Sequence, residues 1–379
     1  MTAGTPYQAY VRRCIAAARG RPTGSGKAMV RTESNAEVVY ESSAAAAVEL
    51  PPDTAFIADS LGLAEANLRR DPAIADHDMA EALDVAREAY ASMRDGAGLD
   101  LRGAVMMEAI QVFDGSRPAV LVRPDGSVST EDPELGDWKG DVVTHYDAIQ
   151  TLAQSVALIG LPAGAIGSGF RVGGNRLVTN RHVLELIGIE TAQGWRILDG
   201  ADARFGLVSV AITGVVFAGA QTIGGFTDLS RLDVAVLQLA GPDVAGLPVD
   251  GRLTDAGTGW PLQAERALHV IGYPLGYGDV LGLQGAEKLY LGKIGKLCWS
   301  PGRLTVLPGV GFGDAAREWA IGYDISTLPG NSGSVVADLQ ANPSVALGLH
   351  IGGATQMGNW AHWLAGASNL LRGSVAFAP

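Results

Sequence analysis

From Ser155 onward the chain alternates short apolar runs with glycine-bearing turns: SVALIG, GSGFRV, RLVTN, LVSVAITGVVF, DVAVLQL, ALHVIGY, SGSVVADL and SVALGLHIGG. Each run is too short for a helix that buries a full face, and turn residues recur at close intervals. Such a pattern predicts many short strands curled into a barrel or sandwich. The 51 glycines among 379 residues are nearly twice the usual share of about 7%. They lack a triplet repeat, so they serve tight turns rather than a fibre.

The first hundred residues have a different character. They are alanine-rich and predict helices over Pro6–Arg19, Ala44–Leu50, Thr54–Arg70 and Pro72–Arg94. In the last of these, Met79, Leu83, Ala86 and Tyr90 fall at steps of four and three, one face of a helix. Residues 1–100 are therefore expected to form a helical module, with 101–150 as a β-hairpin and linker and 151–379 as a β domain. The hairpin expectation rests on AVMMEAIQVF and PAVLVR, separated by Asp114-Gly115-Ser116-Arg117 and followed by Pro124-Asp125-Gly126. A short helix is expected around Tyr146–Gln154. The stretch GRPTGSGK reads as a connector; it is no phosphate loop, because Arg21 stands where a glycine is required and Ala28 where a hydroxyl would hold magnesium.

Composition narrows the function classes. Lys and Arg number 28 against 40 Asp and Glu, a net charge of −12, and a field of that sign repels phosphate backbones and anionic membranes. Neither nucleic-acid nor membrane binding is expected. With only Cys14 and Cys298, a disulfide framework is excluded. Arg12, Arg13 and Arg19 interrupt the N-terminal apolar residues, so no signal peptide or transmembrane segment is expected and the location is expected to be cytoplasmic. His77, His145 and His269 have no metal-ligand spacing around them, and Cys298 beside Trp299 reads as a small buried hydrophobe.

Three segments carry chemistry. GSGFRVGGNRLVTNRHV ends a strand at His182; LDVAVLQL puts Asp233 at the head of an apolar strand; TLPGNSGS brackets Ser332 with glycines. Each alone has an ordinary structural reading, as a strand-end histidine, a turn aspartate and a turn serine. Together they supply the nucleophile, base and orienting acid that acyl transfer needs. Their order along the chain is His182, Asp233, Ser332, which differs from the Asp-His-Ser and Ser-Asp-His orders of other serine hydrolases. Ser334 two residues after Ser332 also breaks the GxSxG elbow of α/β-hydrolases.

On these motifs, residues 151–379 resemble the trypsin-like serine peptidases of the chymotrypsin fold, in the disulfide-free bacterial branch that includes glutamyl endopeptidases. The hairpin at 104–126 with Trp138 resembles a segment upstream of the peptidase in some bacterial members. The resemblance implies a mainly β, double-barrel fold, here with the helical module in front. It implies Ser332 as nucleophile, His182 as general base, Asp233 as orienting acid, and the N–H groups of Gly330 and Ser332 as the oxyanion hole. Substrate would lie against Ser326, Thr327 and the strand His350, Ile351, Gly352, Gly353. Thr327 and His350 resemble the pair that holds an acidic side chain in glutamyl endopeptidases, and no aspartate is present for a basic one. The expected activity is a serine endopeptidase acting on protein or peptide, with no metal or organic cofactor. A silent peptide-binding pseudoprotease and an esterase on the same triad are the alternatives. Asn331 replaces the aspartate that pairs with a newly cut N-terminus in activated trypsins, so no such cleavage is expected to be needed. Residues 1–100 could bind a partner protein.

Overall fold

The structure, a computed structural model, describes residues 25–31, 37–43, 54–70, 76–94, 115–222, 231–252, 265–275, 292–308, 319–327, 330–354 and 358–378. The helices expected over Pro6–Arg19 and Ala44–Leu50 lie outside them. The N-terminal module is not all helical. Strands β1 (Ser25–Arg31) and β2 (Glu37–Ser43) form an antiparallel hairpin with Val30 opposite Val38, and this takes Ser25–Lys27 out of the expected connector. Val30, Val38, Val39 and Tyr40 are residue types that favour extended backbone. Helices α1 (Thr54–Leu68) and α2 (Asp76–Arg94) follow. Leu61, Ala64 and Leu68 of α1 are buried, as are Met79, Leu83, Ala86 and Tyr90 of α2, which is the face set by their spacing. Ser60 Oγ lies 3.3 Å from Tyr90 OH between the two helices.

Residues 115–155 pack on the β domain. Strand β3 (Val120–Leu121) is followed by a 3₁₀ segment at Pro133–Trp138 and by helices α3 (Lys139–Thr144) and α4 (Tyr146–Ser155). The expected hairpin partner of PAVLVR, residues 104–113, lies outside the described residues. Ala148, Ile149, Leu152 and Ala153 of α4 are buried in one cluster with Val335 and Leu349. Trp138 is buried there too, its indole N–H donating to the Ser116 carbonyl at 3.3 Å.

Two six-stranded antiparallel barrels follow. The first comprises β4 (Val156–Leu161), β5 (Gly164–Val172), β6 (Arg176–Thr179), β9 (Asp202–Phe205), β10 (Val208–Ala218) and β11 (Ala235–Leu239), closed in the order β10-β11-β6-β5-β4-β9. A hairpin of β7 (Gly188–Thr191) and β8 (Gly194–Ile197) projects from it. The second comprises β13 (Ala267–Gly272), β14 (Cys298–Val306), β15 (Ala320–Tyr323), β16 (Val335–Ala337), β17 (Gly348–Ala354) and β18 (Gly358–Trp363), in the order β13-β16-β17-β18-β15-β14. Pairing of β13 with β14 closes it, and β3 pairs with the first residues of β14, Leu121 opposite Cys298. Between the barrels in sequence lies β12 (Val249–Asp250), which pairs in parallel with β19 (Phe377–Ala378).

The apolar runs read as continuous because both faces are buried. On β4, Ala157 and Ile159 point into the first barrel, whereas Val156 and Leu158 join the cluster between the barrels. β11 repeats this with Leu237 inside and Val236 between, and β16 with Val336 inside and Val335 between. Period-two alternation thus sorts each strand into two apolar environments rather than core and solvent. Each Val, Leu or Ile side chain buried in this way contributes about 1.5–3 kcal/mol. Leu232 and Val234, on either side of Asp233, and Val335, three residues after Ser332, belong to this inter-barrel layer.

Candidate active site

Strands β6 and β11 pair with Thr179 opposite Ala235. The residues just after β6 and just before β11 therefore emerge side by side. Asn180 has extended backbone and starts helix α5 (Arg181–Ile187), which puts His182 in its first turn, and Asp233 stands two residues before β11. His182 Nδ1 lies 2.6 Å from Asp233 Oδ2, and the His182 backbone N–H donates to Asp233 Oδ1 at 2.9 Å. Burial by itself would raise the Asp233 carboxyl; the His182 imidazole and its hydrogen bonds outweigh it and hold the carboxyl below its ordinary value. An ionised carboxylate only accepts, so the proton of the imidazole sits on Nδ1 and Nε2 is its basic nitrogen.

Two further side chains hold Asp233. Asn180 Nδ2 donates to the Asp233 carbonyl at 3.0 Å, and the Asp233 N–H donates to His362 Nε2 at 2.8 Å. Every hydrogen-bonding group of Asp233 is thus engaged. Arg181, next to the histidine, is 2% exposed. Its guanidinium donates to Glu185 at 2.9 Å, Glu190 at 2.8 Å and the Gly219 carbonyl at 2.5 Å, so the buried cation is fully paired. Asn180 and Arg181 lie within the TNRHV motif. His362 carries no local sequence signal, because its role depends on a contact 129 residues away.

Ser332 lies in the turn that leads into β16. Gly330 has φ +97° and Gly333 φ +89°, the left-handed region that glycine reaches without steric cost. Close approach reinforces the requirement: a Cβ on Gly330 would lie 2.4 Å from Leu275 Cγ and 2.7 Å from the Leu275 nitrogen. The Ser332 hydroxyl donates to the Ile351 carbonyl at 3.1 Å. That carbonyl is available because β17 and β18 shift register between His350 and Gly352, leaving Ile351 in a bulge.

The remaining expected substrate residues gather around this turn. Ser326 and Thr327 are buried at the end of β15, with Thr327 Oγ1 donating to Asn359 Oδ1 at 2.8 Å. His350 is fully buried, its Nδ1 2.5 Å from the Tyr323 hydroxyl. Ile351 and Gly352 are buried beside it on β17, and Gly353 continues the strand. Among the described residues, no group of three or more His, Cys, Asp or Glu is placed to hold a metal, and no helix is long and apolar enough to cross a membrane.

Residues 167–347 match the family described as trypsin-like peptidase domain, a span that contains His182, Asp233 and Ser332. A probable serine protease of Lysobacter enzymogenes is 28% identical over 308 residues, covering 72% of this chain and 76% of the relative. Among solved structures, the active form of the Rv3671c protease from M. tuberculosis aligns at 17% identity and TM-score 0.40, over 63% of this chain and 88% of that one. Its inactive form aligns at 17% identity and TM-score 0.38, over 61% and 93%. The strands that carry the histidine, the aspartate and the serine thus lie within a region, residues 167–347, that is similar to trypsin-like peptidase domains.

Proposed function

We propose that this protein is a serine endopeptidase working through an acyl-enzyme on Ser332. The observation that carries the reading is the 2.6 Å contact between His182 Nδ1 and Asp233 Oδ2, both buried at strand ends of the first barrel. In this mechanism the Ser332 hydroxyl exchanges its bond to the Ile351 carbonyl for one to His182 Nε2. As Oγ bonds to the scissile carbonyl carbon, its proton passes to Nε2, and Asp233 stabilises the resulting imidazolium. The oxyanion is received by the N–H groups of Gly330 and Ser332. Collapse expels the amine, which takes the proton back from Nε2, and water repeats the sequence on the ester. Labelling by a fluorophosphonate, abolished in Ser332→Ala and accompanied by cleavage of a protein substrate, is the expected result. A folded protein that never labels would favour a silent peptide-binding module, and ester turnover without peptide cleavage an esterase.

For specificity we propose an acidic side chain ahead of the scissile bond. Tyr323 OH lies 2.5 Å from His350 Nδ1 and 3.3 Å from the Trp360 carbonyl, which holds the imidazole in place on β17; in this reading His350 and Thr327 receive the carboxylate. A cleavage-site profile on a peptide library tests this; cutting after lysine or arginine overturns it.

A further inference from the structure

Ser168 lies in β5 within the GSGF segment and is fully buried. It belongs to the first barrel, yet most of its polar contacts reach the second. Its backbone N–H donates to the Ser332 carbonyl at 2.8 Å, and its hydroxyl donates to the Gly330 carbonyl at 2.9 Å. The hydroxyl oxygen accepts the Tyr273 N–H at 3.0 Å, just beyond β13. Its own carbonyl accepts Thr179 Oγ1 at 2.7 Å, one residue before Asn180. A Cβ on Gly333 would lie 1.9 Å from that carbonyl oxygen, so the serine turn is pressed against Ser168 from both ends.

The direction of these bonds matters. A serine hydroxyl has one proton; with the Tyr273 N–H pointing into its oxygen, that proton is committed to the Gly330 carbonyl. Gly330 carries no side chain and sits at φ +97°, where its flanking peptides meet little steric resistance to rotation. Pinning the Gly330 and Ser332 carbonyls to one buried residue fixes the 330–331 and 332–333 peptide planes, which flank the 331–332 plane that carries the Ser332 N–H; the 329–330 plane that carries the Gly330 N–H adjoins the first of them. The pinning thereby limits where the Gly330 and Ser332 N–H groups can point. We propose that Ser168 is a positioning residue that holds the oxyanion-binding turn in its donor-inward conformation. This rests on the reading of Ser332 as nucleophile. Its contribution would appear in the transition state, where preorganised donors meet developing charge, and not in ground-state binding.

The test compares wild type with Ser168→Ala and the near-isosteric Ser168→Cys, whose S–H is a weaker donor. For Ser168→Ala, kcat is expected to fall about 10- to 100-fold, less than the 100- to 1,000-fold of losing a donor outright, with KM changed less than about twofold. A peptidyl trifluoromethyl ketone, whose hemiketal oxygen occupies the oxyanion position, should weaken by the same factor as kcat. The product peptide acid should bind as in wild type, and fluorophosphonate should still label the full complement of sites, more slowly. Ser168→Cys should show a smaller loss with the same split between ketone and product, and carries the test if the alanine variant does not fold. Unchanged kcat, or equal weakening of ketone and product, would overturn the role of Ser168. A wild-type protein that fluorophosphonate does not label would instead overturn the nucleophile reading, and this inference with it.

Discussion

His362, on the second barrel, accepts the backbone N–H of Asp233, on the first, at 2.8 Å. Both residues are buried, His362 completely. The bond requires a neutral imidazole with its proton on Nδ1, because a protonated ring has no lone pair to offer. His362→Ala would leave a buried N–H unsatisfied, at a cost of about 1–3 kcal/mol, whereas His362→Gln can keep an acceptor in reach. Urea unfolding should place the alanine variant well below the glutamine variant. Its kcat should fall further as well, toward ~10²-fold if Asp233 shifts by about 1 Å. Equal stabilities for the two variants would show that the bond is not what His362 supplies.

Acid should destabilise the fold through buried histidines. Burial lowers His362 to about 4, against the opposing pull of Asp233, and lowers His269 to about 3. His269 lies stacked on Trp299 with ring centroids 5.6 Å apart. Between about pH 6.5 and these values the unfolded chain binds the protons and the native state does not, so stability falls as pH falls. Each histidine contributes up to about 1.4 kcal/mol per pH unit in that window. Asp141, raised by burial, acts in the opposite sense near pH 4. Denaturant midpoints measured from pH 7 to pH 4 should therefore decline, and His362→Gln should flatten the decline. A flat profile in wild type would contradict the assignment.

Asp233→Asn should preserve the fold and abolish most activity. An amide can donate where the carboxylate only accepts, which favours the tautomer with the proton on Nε2 of His182. The same exchange in a trypsin triad costs about 10⁴ in kcat. Circular dichroism should be unchanged while kcat collapses, and activity within tenfold of wild type would remove Asp233 from the mechanism.

Alanine at either turn glycine should be damaging in different ways. Gly333→Ala would place a Cβ 1.9 Å from the Ser168 carbonyl oxygen, a backbone atom fixed in β5, and a marked fall in Tm is expected. Gly330→Ala would meet Leu275, whose side chain can shift but whose backbone nitrogen at 2.7 Å cannot easily do so. It should lose fluorophosphonate reactivity with a smaller loss of Tm. The reverse order of thermal stabilities would argue against this reading of the turn.

Activity should not depend on a new N-terminus. Asn331 Oδ1 is 3.4 Å from the Ser334 hydroxyl, and the Asn331 carbonyl accepts the Ser334 N–H at 2.8 Å. An amide at this position cannot form the ion pair that activates trypsins. N-terminal sequencing of an active preparation should return the uncut terminus; activity found only after cleavage near residue 150 would refute it.

Much of the β domain was legible because its determinants are local. SVALIG, GSGFRV, RLVTN, DVAVLQL and ALHVIGY each overlap a strand, since β-branched runs ending at turn residues specify extended backbone whatever surrounds them. The α2 face was legible for the same reason, with Met79, Leu83, Ala86 and Tyr90 all buried. The hairpin at 25–43 was missed, because alanine-rich flanks outweighed the short Val and Tyr runs that pair there. PAVLVR reads as a strand from its own residues, but its pairing with β14, about 180 residues on, follows no local rule.

The sequence by itself determined which residues are the candidates for catalysis, His182, Asp233 and Ser332, and in what chain order. It also determined the glycines at 330 and 333 that the serine turn requires, because these reside in contiguous motifs. Only the tertiary structure decided what holds them. His362 reaches Asp233 across 129 positions and Ser168 reaches Gly330 across 162. Both cross from one barrel to the other. Contacts of that kind are created by barrel closure and packing, which bring strand ends together without leaving any periodicity or spacing in the chain.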